Sequence, residues 1–438
     1  MTAAGTRTGA ALVAALLVSG PPAARAAGPA PAATAAPAGL TTIVRPDPAQ
    51  NAAAVALWYR APTGGFGPKP VPGLSRLAAM TVTASTPITG TSLGRLVTRY
   101  GGRLTVAAYP SAVSITALVG PESAPAIVRA MTADFFAPVV DQGGLQSGRR
   151  DAAEDALLRS FEPSEAIENA LGTALFADGP FHDGTIGTPA TLASVPLADV
   201  KAFAERAFRP ANAVLVLTGN VDPAAAQSAV TRDGAAPDPE PIPAPASRAA
   251  GPVVLRSASV DGQGLGWAGP PIGDEASATA MDFLAESLFA PKTGSVRRAL
   301  GPLRATVTGK FVTYHDPGTF LVTIAGDDAA AALPIVERAI AAAATPLPPA
   351  AFNAARTAFV YQLLSELQTP AELADTFGWY AVEGNAPYAP AEAGMQGRYF
   401  TAAAALTPQA VARVAARYLA VPPAVVTLTK AAPAAKRA

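Results

Sequence analysis

A short inventory of side chains bounds the chemistry open to this chain. It has two histidines, His182 and His315, and no cysteine. Thiol nucleophiles, disulfides, cysteine metal sites and lipidated cysteines are therefore excluded. Each histidine precedes an aspartate, giving His182-Asp183 and His315-Asp316. Both pairs lie in Gly/Pro-flanked loops with no G-x-S-x-G elbow, so they read as polar turn residues. Glu154, Asp155, Glu162 and Glu165 form an acidic run. Paired carboxylates can do acid–base work, but along a helix they read as a solvated charged face. Residues 301–310 lack the spacing of a phosphate loop. Trp58, Trp267 and Trp379 fall in apolar segments and read as core, as does the cluster 377–380, which could also line a chamber.

Composition narrows the class. A chain of 438 residues is longer than one core usually serves, which predicts two domains. Half of it is hydrophobic with few aromatics, the mark of closely packed Ala-rich helices. Lys plus Arg equals Asp plus Glu, 32 of each, which argues against nucleic acid or an anionic membrane as the main partner. Arg7, the apolar run 10–18 and the small-x-small site at Ala24-Arg25-Ala26 predict a cleaved signal peptide over 1–26, and hence a periplasmic or secreted protein. That run is too short to span a bilayer, and no transmembrane segment is predicted elsewhere. An Ala/Pro tether follows over 27–39.

Patterning places the elements. Strands are predicted over 41–45 and 54–60, then a Gly/Pro loop ends at Gly73. A helix over 73–86 follows, with Leu74, Leu77, Ala78 and Val82 as its buried stripe and Arg76, Ala79 and Met80 opposite. Further helices are predicted over 91–100, 122–136, 149–160, 163–176 and 196–208, a hairpin over 103–119, and an apolar strand over 213–218. Proline at every second position from 237 to 245 predicts an extended linker over 233–252. It separates an N-terminal domain, 40–232, from a C-terminal one, 253–432. The second repeats the first: DVKAFAERAFRPANAVLVLTG aligns without a gap on AVARVAARYLAVPPAVVTLTK.

Five ordered stretches carry a resemblance: Gly73-Leu74 onward, the helix 149–160 with Glu162-Pro163, PFHDGTIGT at 180–188, Arg209-Pro210-Ala211-Asn212 into 214–220, and 265–269 through Ser295-Val296-Arg297 to Gly301. In these the chain resembles the pitrilysin/insulinase family of zinc metallopeptidases, the inverzincins. The resemblance implies an α+β fold of two tandem homologous domains, each an antiparallel sheet backed by helices, enclosing a chamber where a peptide lies as an added strand. The family's H-x-x-E-H motif puts two histidines on one helix face to bind zinc, with the glutamate as general base. Those positions fall here on Arg76, Ala79 and Met80, and the register puts the third ligand at Gly148. A catalytic zinc needs three protein ligands and an open position, and this donor set cannot supply them. The family's second domain gives an Arg and a Tyr that hold substrate. Arg297 takes the Arg position and Arg304 the Tyr position. Arg297 either holds a peptide carbonyl or carboxylate or is an ordinary helix-end surface residue.

These observations predict a non-catalytic subunit with no cofactor of its own, zinc being expected only in a partner chain that bears the intact motif. The alternative is a stand-alone peptide-binding or structural protein; a metallopeptidase with a rebuilt site is the third possibility.

Overall fold

The computed structural model describes residues 39–67, 69–87, 90–230, 242, 245, 253–257 and 260–430. The expected signal peptide, all but the last residue of the tether, and the linker apart from Ile242 and Pro245 lie outside them. Strands β1 (Thr41–Pro46), β2 (Ala53–Arg60), β3 (Arg103–Ala108), β4 (Ala112–Val119) and β5 (Ala213–Gly219) form one sheet, ordered β1-β5-β2-β4-β3. Strands β6 (Val253–Ser257), β7 (Gly262–Gly269), β8 (Thr306–Val312), β9 (Gly318–Ala325) and β10 (Ala424–Lys430) form the second, ordered β6-β10-β7-β9-β8. The two orders correspond position for position, as the internal repeat requires. Both sheets are antiparallel except at one edge, where β1 joins β5 and β6 joins β10 in parallel. At this edge the long crossover between the strands permits a parallel pair.

Ten helices position the features discussed below. In the first half these are α1 (Leu74–Ala84), α2 (Gln142–Ser160), α3 (Pro163–Leu175) and α4 (Leu197–Ala207). In the second half they are α5 (Glu275–Phe289), α6 (Ser295–Leu300), α7 (Ala329–Ala342), α8 (Pro349–Ser365), α9 (Pro370–Val382) and α10 (Pro408–Tyr418). Helix α2 begins well before residue 149. The stretch QGGLQSG has poor helix propensity, but the Asp141 side chain caps it, accepting from the Gly144 amide at 2.6 Å. Its glycines also let it close on α1. A Cβ on Gly144 would lie 2.8 Å from the Ser85 backbone, and one on Gly148 would lie 2.9 Å from Thr81 Oγ1.

Helix α1 differs from its expectation in another way. Its pattern predicts an amphipathic helix, yet Leu74–Thr83 are all buried except Met80, which is half-buried. The second face is covered because α2 and α4 both pack on α1, which also touches β3 and β4. At its start, Gly73 adopts φ 80°, and a Cβ there would sit 2.4 Å from the Ile186 carbonyl oxygen. Only glycine allows both the left-handed turn and the close loop.

The halves exchange a helix each. Helix α3 follows α2 but lies on the second sheet, burying Ile167, Leu171 and Ala174 with Val426 and Leu428. Its seat is the run of alternate glycines in β7: a Cβ on Gly264 would come within 2.3 Å of Ile167 Cγ2, and one on Gly266 within 3.0 Å of Leu175 Cδ1. Reciprocally, α9 lies on β2 and β5 of the first sheet. Gly378 meets the Trp58 indole there, and Thr218 Oγ1 donates to the Pro370 carbonyl at 2.5 Å. Strand β2 is thus buried on both faces. Ala54, Ala56 and Trp58 join the core that contains Phe377, while Val55, Leu57 and Tyr59 face the core under α1.

Gly264→Val should lower stability by about 1–3 kcal/mol, because the added methyls must push α3 off its seat. Urea melts of the full chain measure this, and unchanged stability would show that α3 does not depend on that glycine.

A second expectation concerns pH. Asp282 of α5 accepts from the Tyr399 hydroxyl at 2.6 Å, and loss of hydration pushes its carboxyl up to about 7. Asp134 is likewise pushed up to about 6 by burial. A carboxyl that holds its proton more tightly when folded stabilises the fold fully below its unfolded pKa, about 4. That stability is lost as pH rises through the folded value. Thermal midpoints should therefore fall between about pH 4 and 7, and Asp282→Asn should flatten the fall. An equally steep fall in the variant would remove Asp282 as its source.

Candidate functional site

The site is assembled where α1, α2 and α3 meet. Arg76 points from α1 toward α2 and is only 7% exposed. A charged group so placed needs a partner, and Asp155 of α2 supplies it, its Oδ2 bonded to Arg76 Nη1. The same oxygen accepts from Arg159 Nε at 2.8 Å. Arg159 Nη1 in turn donates to Glu165 Oε2 of α3 at 2.7 Å. Two guanidiniums and two carboxylates thus form a chain across three helices with no net charge. Arg159 and Glu165 line a cavity of about 250 Å³ between the halves, beside Ala108 at the end of β3 and Lys310 of β8. Lys310 reaches back to Glu168 of α3 at 2.7 Å. A second cavity, of about 300 Å³, shares Tyr109 and Val312 with the first and is lined by Trp58, Trp379 and Tyr380.

The positions assigned to the zinc motif are filled in three ways. Arg76 is paired, Ala79 is fully buried, and Met80 packs on the core of the first half. Gly148 lies against Thr81 and has no room for a side chain. The α2 residue that does reach Arg76 is Asp155, further along the helix. Its acidic neighbours place Asp155 on a solvated face when only the sequence is considered; the signal available is an arginine on an otherwise apolar helix, which demands a nearby carboxylate. Arg159 carries no such signal in the sequence. A guanidinium, a methyl group and a thioether do not fit zinc, so these positions have no means of carrying a zinc-dependent step. Among the described residues, no group of three or more His, Asp or Glu could hold a metal ion.

The second-half arginines stand elsewhere. Arg297 is exposed on α6. Arg304 is 77% exposed in its side chain and lies 3.6 Å from Asp327 and 3.8 Å from Asp328. Among the described residues no hydrogen bond or ion pair joins either of them to Arg76. The histidines are structural in their contacts. The His315 amide donates to Glu383 Oε2 at 2.7 Å, and Ser111 donates to Oε1 of the same carboxylate at 2.7 Å, which ties the two halves together. The His182 carbonyl accepts from Thr173 at 2.9 Å. Of the tryptophans, Trp58 and Trp267 are buried, while Trp379 is half-buried and lines a cavity.

Fold and site together define a two-part α+β architecture in which an ion pair occupies the position assigned to a zinc ligand. Comparison with known proteins bears on the fold. Residues 194–359 match the family described as "Peptidase M16 inactive domain". None of the curated proteins matches the chain in sequence. Among solved structures, a protease from Helicobacter pylori superposes with a TM-score of 0.78 at 16% identity, covering 89% of this chain and 96% of that one. A putative M16-like peptidase from Alicyclobacillus acidocaldarius gives 0.76 at 14% identity, with 90% and 97% covered. A peptidase M16 inactive domain from Pseudomonas fluorescens gives 0.75 at 15% identity, with 91% and 97% covered. These likenesses show a shared fold. Residues 194–359 thus carry an inactive-type M16 peptidase domain, the chain as a whole shares the fold of these M16 proteins, and among the described residues no cluster could hold a catalytic metal.

Asp155→Ala should cost about 3 kcal/mol, because it strands the Arg76 guanidinium in the interior. Replacing the pair with apolar side chains, Arg76→Met with Asp155→Leu, should restore most of that loss. Denaturant melts of the three variants test this, and additive losses would show that the two residues are not coupled.

Proposed function

We propose that this chain is an exported, non-catalytic M16 subunit that pairs with a separate zinc-bearing peptidase chain and helps to hold extended peptides. The observation that carries this reading is the Arg76–Asp155 pair in an otherwise intact peptidase fold: the architecture is kept while the metal chemistry is replaced. Two further features support it. Cavities of about 250 and 300 Å³ between the halves are small for an extended peptide, so an enclosing wall has to come from another chain. Among the described residues strand β3 pairs only with β4, leaving an edge that can accept a peptide strand. Export rests on the N-terminal pattern of Arg7, the apolar run and the small-residue cleavage site. The free edge of β3 also suits the second reading, a stand-alone peptide-binding protein without hydrolysis.

Co-expression with a candidate M16 partner carrying H-x-x-E-H separates the two. The subunit reading expects a heteromer by native mass spectrometry and faster peptide cleavage than the partner achieves alone. A partner that neither binds nor changes its rate would defeat it. Arg297 is the residue to probe within such a complex. Arg297→Ala should raise KM for peptides while leaving the melting temperature unchanged, since an exposed helix-end arginine contributes little to stability. An unchanged KM would leave Arg297 as a surface residue only.

A further inference from the structure

The two halves repeat each other, but one repeat is open where the other is closed. In the first half α2 lies directly on α1, because Gly144 and Gly148 bring no side chain against Ser85 and Thr81. The equivalent pair in the second half is α5 and α8. There Phe283 of α5 meets Phe352 and Phe359 of α8, with ring centroids 5.2 and 5.8 Å apart. Aromatic spacers hold α8 off α5 where glycines let α2 close. Helix α8 rests on α5, while α7 rests on α6 and on β7 and β9. Between α5, α7, α8 and α10 lies a cavity of about 790 Å³. Leu284, Leu288, Ile335, Phe352 and Val411 line it, with alanines filling in between them. That volume and that lining are typical of a small-molecule site. The cavity opens to solvent at Ala342, Thr345, Leu347 and Ala351, which leaves a ligand a way in.

The polar groups at this cavity are few and mostly of one sign. Arg298 of α6, Arg338 of α7 and Glu286 of α5 are its charged residues. Neither arginine forms an ion pair among the described residues, although Arg298 Nη1 donates to the Thr293 carbonyl. Loss of hydration, with Glu366 nearby, pushes the Glu286 carboxyl upward. We propose that the cavity binds a single-chain anionic amphiphile, with its acyl chain among the apolar walls and its carboxylate or phosphate head on Arg298 and Arg338. Guanidinium forks suit such heads, because they can bond two oxygens in one plane. A helix from a partner protein is the other occupant to consider. It would use apolar anchors along one face and gives no role to two cations that lack an ion pair.

Calorimetric titration of the full chain tests this, with dodecanoate, dodecanol and dodecyltrimethylammonium as probes. Saturable one-to-one binding of dodecanoate is expected, with the alcohol and the cation weaker by about tenfold or more. The Arg298→Ala/Arg338→Ala variant should lose about as much affinity for dodecanoate, with its thermal midpoint unchanged. Ala339→Trp should abolish binding by filling the space, and Ala355→Phe is a second filler in case the first unfolds. Lysophosphatidylglycerol in a parallel titration separates a lipid headgroup from a free fatty acid: either one binding in this cavity supports the proposal, and the tighter names the source. The proposal fails if dodecanol binds as tightly as dodecanoate, if a folded filler keeps full affinity, or if neither anionic amphiphile binds saturably. In the last case a partner helix becomes the occupant to test.

Discussion

The exchange of α3 and α9 between the halves is the contact on which the rest of the molecule depends. Each helix leaves the sheet of its own half and completes the core of the other. The second sheet accepts α3 only because β7 presents glycine at alternate positions. The first sheet accepts α9 because Gly378 leaves room for the Trp58 ring. Neither half has a finished core without the helix it borrows, so the two sheets are the walls of one hydrophobic body. This also limits what the chain can do alone. With the interface filled by side chains and two small cavities, opening it would expose both cores.

The same exchange sets the position of the site. Helices α2 and α3 are separated only by Phe161 and Glu162, so seating α3 on the second sheet fixes where α2 ends. The ion-pair chain runs along that path, from Arg76 on α1 through Asp155 and Arg159 on α2 to Glu165 on α3. Its two outer links join different helices and the middle one, Asp155–Arg159, lies within α2, which gives the chain a positioning role beyond its modest net stabilisation.

Much of this architecture is legible in the sequence, and the exceptions have physical causes. The repeat and the hairpin β3–β4 follow from patterning, because their apolar residues alternate or recur as a buried face requires. The early start of α2 is hidden, since QGGLQSG has the composition of a loop; its glycines are explained only by α1 on the other side. The burial of the second face of α1 is hidden too. Arg76 gives it a polar residue, and a polar residue opposite an apolar stripe normally faces water. The exchange of α3 and α9 cannot be read at all. A helix's apolar stripe states that it is covered, but not by which sheet. Asp155 illustrates the same limit at the site. Its acidic neighbours suggest solvent, and only the approach of α1 shows that it faces an arginine.

The Arg76–Asp155 pair also explains how helix α1 stays seated with a charge in its interior. A carboxylate at the inner face of α2 would be costly if nothing positive stood opposite. Arg76 supplies that charge. A guanidinium is a fixed cation that spends its donors on in-plane acceptors, and it offers no open coordination position for a water. Charge balance at the helix junction is therefore kept while the means of activating a nucleophile is absent. Helix α1 remains seated beside β3 and β4, and the free edge of β3 stays where a peptide strand could reach it. Helix α1 thus keeps its place beside the sheet edge while the residues on it do not fit a metal.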